Sequence, residues 1–134
     1  MKMDIAYRLD TIPSPDQIID LYTSAGISRP TADKERIKKM YDHSNLVVTA
    51  WHSTLLVGVA RSLTDFCYCC YLSDLAVRQQ YKNKGIGQQL IALTKEKIGD
   101  MTMLLLLSAP TAVGYYPKVG FQQVDNGFVI KRTK

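Results

Sequence analysis

Nothing in this chain approaches the run of about 18–20 apolar residues that a membrane-crossing helix requires. Met1-Lys2-Met3-Asp4 lacks the basic-then-apolar layout of a secretory leader. A cytoplasmic protein with no membrane partner is therefore expected. Cysteine is scarce and confined to one stretch, Cys67, Cys69 and Cys70, which excludes a disulfide framework. The Cys67/Cys70 spacing has no second ligand pair and no nearby histidine, so no metal is expected and the thiols are read as buried apolar side chains. The two histidines, His43 and His52, stand apart from any nucleophile or ligand set. Repeats, low-complexity tracts and Gly/Ser linkers are also missing, and with them solenoid or multi-domain arrangements.

What remains is a chain of 134 residues, 46% hydrophobic, with 17 basic and 12 acidic side chains and a net charge of +5. That length suits a single domain, 1–134, with a core of its own. A positive excess attracts nucleic acid or a phosphorylated ligand. The basic residues are scattered, apart from Lys82/Lys84 and Lys131–Lys134, so a nucleic-acid partner is not the expected one.

Asp4–Leu9 reads as a first strand. Ser14-Pro15-Asp16-Gln17 has the form of a capped helix start, with Gly26 as its stop, and a second helix is expected over Ala32–Tyr41. Leu46–Trp51, Leu55–Ser62 and Cys67–Val77 are strand-like, the first two joined by the turn His52-Ser53-Thr54. Trp51 belongs in or near the core, and Tyr68 and Tyr71 pack or line a slot. Beyond the loop Arg78–Asn83, Ile86, Leu90, Leu93 and Ile98 recur at helical spacing. The wholly apolar Met103–Leu107 reads as a buried central strand. A short helix near Thr111–Lys118 follows, made irregular by Pro117, and two strand-like pieces flank Asp125-Asn126-Gly127. This order predicts an α/β (α+β) fold with a mixed central sheet and helices on both faces.

The strongest local signal is Lys82-Asn83-Lys84-Gly85-Ile86-Gly87, where a strand ends, a basic loop follows and a helix begins. A helix N-terminus carries backbone N–H groups without internal partners and a partial positive charge, which suits an anion. Gly85 and Gly87 would let a phosphate reach those amides, and Lys82 and Lys84 add charge. Each glycine otherwise costs about 1 kcal/mol in a helix relative to alanine. Neither the dinucleotide fingerprint nor a Walker loop is present.

Two motifs in order, Leu75-x-Val77 with Lys82-x-x-Gly85-x-Gly87, then Tyr115-Tyr116-Pro117-Lys118-Val119-Gly120-Phe121, make the chain resemble the GNAT acetyltransferase superfamily over Asp74–Phe121. The resemblance implies a mostly antiparallel sheet flanked by helices and acetyl-CoA as cosubstrate. Its pyrophosphate would lie on Lys82, Asn83, Lys84, Gly85, Ile86 and Gly87, and its pantetheine arm along Leu75, Ala76 and Val77. It further implies direct attack by a primary amine, small-molecule or peptide, in a ternary complex, with Tyr116 as proton donor to the thiolate and Tyr115 as its competitor. Many relatives carry glutamate where this chain has Ser73. Asp74 is the nearest acid and thus the side-chain candidate for the base, although strand alternation separates it from Ser73 and a water relay or a structural role stays open. Tyr22, Arg29 and Asp33 are candidates for the acceptor wall. A homodimer through a strand edge or helix face is compatible with this reading. A silent CoA-binding module and a small basic nucleic-acid-binding domain remain as alternatives.

Overall fold

The computed structural model describes residues 4–134; Met1–Met3, read above for a secretory layout, lie outside the described residues. A five-stranded sheet runs in the order β1 (Ala6–Arg8), β2 (Leu46–His52), β3 (Leu55–Thr64), β4 (Cys69–Val77), β5 (Met103–Leu105). The first three pairings are antiparallel and β4–β5 is parallel. The expected mixed, mostly antiparallel sheet is present.

Helix α1 (Pro15–Ala25) begins as its sequence requires. Ser14 Oγ accepts from the Gln17 N–H, and Gln17 Oε1 accepts in return from the Ser14 N–H. Asp33 caps α2 (Lys34–Asp42) through the Arg36 N–H, so the second helix starts two residues later than expected. Ile18, Leu21 and Tyr22 of α1 and Ile37 and Tyr41 of α2 bury against Val47, Trp51, Val59 and Ala76 on one sheet face. On the other, Ile86, Leu90, Ile91 and Ile98 of α3 (Ile86–Ile98) cover Val48, Ala50, Val57, Ala60, Cys70 and Leu72. Alternation along β2 and β3 feeds both cores. The indole N–H of buried Trp51 donates to Thr49 Oγ1 at 2.7 Å.

The cysteines depart from the reading above. Cys70 is buried, but Cys67 and Cys69 are exposed, because the strand starts only at Cys69. The turn before it is organised by Asp65, whose Oδ1 accepts from the N–H groups of Cys67, Tyr68 and Cys69. Those bonds hold the Asp65 carboxyl well below the usual carboxylate range.

The C-terminal third departs further. Met103–Leu107 is a strand only over its first three residues, and it closes the described sheet at an edge instead of lying at its centre. Leu104 and Leu106 pack toward α3, while Met103, Leu105 and Leu107 are exposed. The physical reason is the missing neighbour. The pieces flanking Asp125-Asn126-Gly127 pair with no strand among the described residues, and a strand needs a ladder partner. Thr111–Lys118 resolves into two 3₁₀ turns, Pro110–Ala112 and Tyr116–Val119, as Pro117 requires. Among the described residues, no helix is long and apolar enough to cross a membrane.

Leu90 is fully buried between α3 and the sheet. Leu90→Ala should cost about 2–5 kcal/mol of unfolding free energy, read as a lower urea midpoint with an unchanged slope.

Candidate active site

The site is set by a β-bulge. Asp74 pairs with Arg61 and Leu72 pairs with Ser62, so Ser73 is an extra residue in β4. A one-residue insertion exchanges the faces of everything after it. Cys70 and Leu72 accordingly pack under α3, whereas Ala76 packs under α1 and α2, and Leu75 and Val77 return to the α3 side. The bulge thus turns Asp74 into the core beneath α1 and α2.

Asp74 is fully buried there. Arg61 Nε donates to its Oδ2 at 2.8 Å and Arg29 Nε to its Oδ1 at 2.7 Å. The Tyr22 hydroxyl donates to Oδ2, and the Tyr22 and Tyr41 hydroxyls bond each other. Arg61 also reaches Ser44 Oγ and Ser73 Oγ, and Ser73 Oγ donates to Asp74 Oδ1 at 3.2 Å. Strand alternation was expected to separate Ser73 from Asp74; the bulge brings the two side chains together instead. Burial pushes the Asp74 carboxyl up, but the hydrogen bonds and charge of Arg61, with Tyr22 and Arg29, outweigh it and leave the group below the ordinary carboxylate range. Burial foremost pushes the Tyr22 and Tyr41 hydroxyls up, so both stay neutral. An ionised carboxylate with this many donors is a weak proton acceptor.

Sequence reasoning missed Arg61 and Tyr41. The usable signal for the first was one arginine directly after the uncharged, polar-free run Leu55–Ala60 of the same strand, because a buried cation demands a buried anion. Of the acceptor-wall candidates, Tyr22 and Arg29 join this cluster. Asp33 is a helix cap.

Beyond the bulge the sheet opens. β5 pairs with β4 only over Cys69–Tyr71. Among the described residues, the β4 edge from Leu72 to Val77 therefore has no strand partner on that side. Arg29 Nη2 occupies one of its carbonyls, Ser73 O, at 2.7 Å. The free edge leads through Leu75, Ala76 and Val77 into the glycine loop.

That loop is tied to α1. The Gln79 N–H donates to Ser24 Oγ, and Arg78 bridges Leu56 O and Asp20. Lys82 Nζ donates to Ala25 O at 2.9 Å, so its side chain anchors the loop and does not point at the anion position. Lys84 is exposed. Asn83 and Gly85 both take positive φ, +64° and +82°, and a Cβ built on Gly85 would meet nothing within 4 Å. Among the described residues, the N–H groups of Asn83, Lys84, Gly85, Ile86 and Gly87 have no protein acceptor. These amides converge at the start of α3 on open space and suit an anion. Gly87 also has a neighbour that the sequence did not announce. A Cβ there would stand 3.1 Å from the Tyr115 hydroxyl, so this glycine admits the tyrosine.

Tyr116 is half-buried, edge-on to Phe121 and to Tyr115 with ring centroids 5.5 and 5.2 Å apart. Burial first, then Tyr115, pushes its hydroxyl up, while the charge of Arg29 pulls the other way. Arg29 thus acts electrostatically on both the bulge and Tyr116.

The sequence profile described as an acetyltransferase (GNAT) domain matches residues 18–132. The chain belongs to the GNAT acetyltransferase family. An uncharacterized N-acetyltransferase, ycf52, of Porphyra purpurea is 24% identical over 101 residues, covering 69% of this chain. The chain spans 57% of the length of that relative. Two solved structures are similar in fold. Protein SA2161 of meticillin-resistant Staphylococcus aureus matches with a TM-score of 0.82 at 22% identity, over 96% of this chain and all of that one. The GNAT-family acetyltransferase SP0256 of Streptococcus pneumoniae matches with a TM-score of 0.80 at 20% identity, over 98% of this chain and all of that one. What they share with this chain is the fold.

Removing the Asp74 charge leaves Arg61 buried and unpaired. Asp74→Asn should cost about 3–5 kcal/mol, measured by urea unfolding at neutral pH. Because the folded carboxyl titrates below its unfolded value, its contribution is present above pH ~4 and fades as pH falls through the folded value. The difference between wild type and variant should therefore shrink on acidification.

Proposed function

We propose that this GNAT protein transfers an acetyl group from acetyl-CoA to a primary amine by direct attack in a ternary complex. The observation that carries the reading is the continuity of two unsatisfied backbone surfaces, the free β4 edge Leu72–Val77 and the amides of Asn83–Gly87. The donors present fit the cosubstrate. The loop amides and Lys84 suit a pyrophosphate, and an extended edge suits the amide-bearing pantetheine arm. Acetyl-CoA supplies the activated thioester.

Leu75, Ala76 and Val77 offer backbone groups to hold the arm in line, and the N–H groups of the opened strand can polarise a carbonyl. Holding both reactants side by side supplies much of the acceleration. Tyr116 donates the proton to the leaving thiolate. Its raised pKa keeps it protonated at neutral pH, and its hydroxyl has no protein partner among the described residues. Tyr115 is assigned to covering Gly87. Asp74 does not take the amine's proton itself; it orients Arg29 and Arg61 and thereby holds the bulge open, and water carries the proton away.

Titration calorimetry with acetyl-CoA should give one saturable site. Lys84→Glu combined with Gly87→Glu, shown folded by circular dichroism, should weaken it at least tenfold. Absence of binding to the wild type would overturn the reading. Tyr116→Phe should lower kcat by about 10²-fold, within the range for general acids, with KM for acetyl-CoA unchanged. The wild-type rate should fall only above about pH 10, the ordinary tyrosine value, and this alkaline limb should vanish in Tyr116→Phe. Binding with no turnover on any amine would reduce the protein to a CoA-binding module.

A further inference from the structure

The cluster around Asp74 does not balance its own charge. Arg29 and Arg61 bring two positive charges to one carboxylate, and neither forms another ion pair among the described residues. Tyr22 and Tyr41 stay neutral, and Ser44 and Ser73 contribute only hydroxyls. One positive charge is left over. The Arg61 side chain is enclosed, 9% exposed, whereas that of Arg29 is 30% exposed. The surplus therefore meets solvent through Arg29. A guanidinium has five N–H donors. Arg29 uses Nε on Asp74 Oδ1, Nη1 on Ser28 O and Nη2 on Ser73 O, which leaves two of the five, one on each Nη, without an acceptor among the described residues.

This half-used cation stands where β4 parts from β5. Its Ser73 contact lies on the bulge, and its charge acts on the Tyr116 hydroxyl. It is separate from the phosphate cradle. At about 3.3 Å per residue, the extended chain from Ser73 to Val77 covers about 13 Å, and the glycine loop begins only beyond it. Phosphates held on the loop amides thus leave Arg29 unneutralised. The protein supplies no second acid either. Residues 75–95 and 101–124, which carry the β4 edge beyond Asp74, the glycine loop and Tyr116, contain no aspartate or glutamate. Asp33, the one acid between α1 and α2, is engaged with the Arg36 N–H.

Resting on the transferase reading above, we propose that the acceptor amine carries an anionic group, a carboxylate or a phosphate, and that Arg29 binds it through its two free N–H groups. A guanidinium fork matches the oxygens of either anion. Asp74 and the Ser73 carbonyl hold that fork in place before the acceptor arrives, so little ordering remains to oppose binding. The anion neutralises the surplus charge at a half-buried position, where solvent screens it poorly. Pairing also removes the anion's own pull on the acceptor's ammonium proton, which favours the neutral amine that attacks. An amine without an anion meets an uncompensated cation instead. Arg29 is then the residue that sets preference among amines.

Acceptor pairs differing in one charge test this: L-amino acids against their carboxamides, and O-phosphoethanolamine against ethanolamine. In one pair type or the other, kcat/KM of the anionic member should exceed that of its neutral partner by about tenfold or more, as charge-assisted hydrogen bonds allow. The pair type that shows it tells carboxylate from phosphate. Arg29→Gln should bring that ratio to within about threefold of unity, chiefly by raising KM for the anionic member. Arg29→Lys, which keeps the charge, should restore part of it. A purely structural role at the bulge would lower both members alike and leave the ratio standing, which overturns the proposal. A wild type that ignores the charge in both pair types overturns it too. The same pairs titrated calorimetrically into CoA-saturated protein read the preference without turnover. If no amine is acetylated, the transferase reading fails by itself, and anion-selective binding that is lost in Arg29→Gln, or its absence from the wild type, still decides the role of Arg29.

Discussion

Burial of the Asp74 carboxylate is the constraint around which the site is arranged. An isolated carboxylate in a protein interior is untenable, and it persists only when paired and hydrogen-bonded. Here the partners come from separate parts of the chain. Arg61 is on β3, Tyr22 on α1, and Arg29 on the segment between α1 and α2; Tyr41 on α2 supports Tyr22. A single charge therefore ties both helices on one sheet face to the strand pair where the sheet bulges. Because Arg29 also binds the Ser73 carbonyl, the same cluster defines the point at which β4 stops pairing with β5. The opening of the sheet and the docking of α1 and α2 are one event.

The anion cradle is held by a second set of ties, also to α1. Gln79 bonds Ser24, Lys82 bonds Ala25 O, and Arg78 bonds Asp20 and Leu56 O. A helix N-terminus can select an anion only when its amides are held in place before the ligand arrives. Spending the Lys82 charge on the C-terminal end of α1, where carbonyls lack partners, serves that rigidity. It leaves Lys84 and the backbone to face the ligand. The loop and the slot are thus two ends of one rigid body, with α1 as the common support.

Much of this was legible beforehand. The capping box at Ser14, the stop at Gly26, the amphipathic spacing of α3 and the Lys82–Gly87 loop are local features, and each appears where its own residues require. The failures have a shared cause. Met103–Leu107 was read as central because all its residues are apolar, but composition cannot say how many neighbours a strand has. The two terminal strand-like pieces have the right pattern and no strand partner among the described residues. Cys67 and Cys69 were read as buried because the turn made by Asp65 was not seen. The separation of Ser73 from Asp74 rested on perfect alternation, which one inserted residue undoes.

Local rules act over a few residues, so the sequence alone determined the elements, the family motifs and the placement of an anion-binding loop at the head of α3. It could also flag Arg61 as a cation in an apolar strand. Tertiary structure decided which anion met it, on which face, and at what cost to strand pairing. It also decided that Gly87 makes room for Tyr115 and that Lys82 turns inward to Ala25. Those outcomes depend on contacts between residues far apart in the chain, where register and competition for partners outweigh any preference written into one segment.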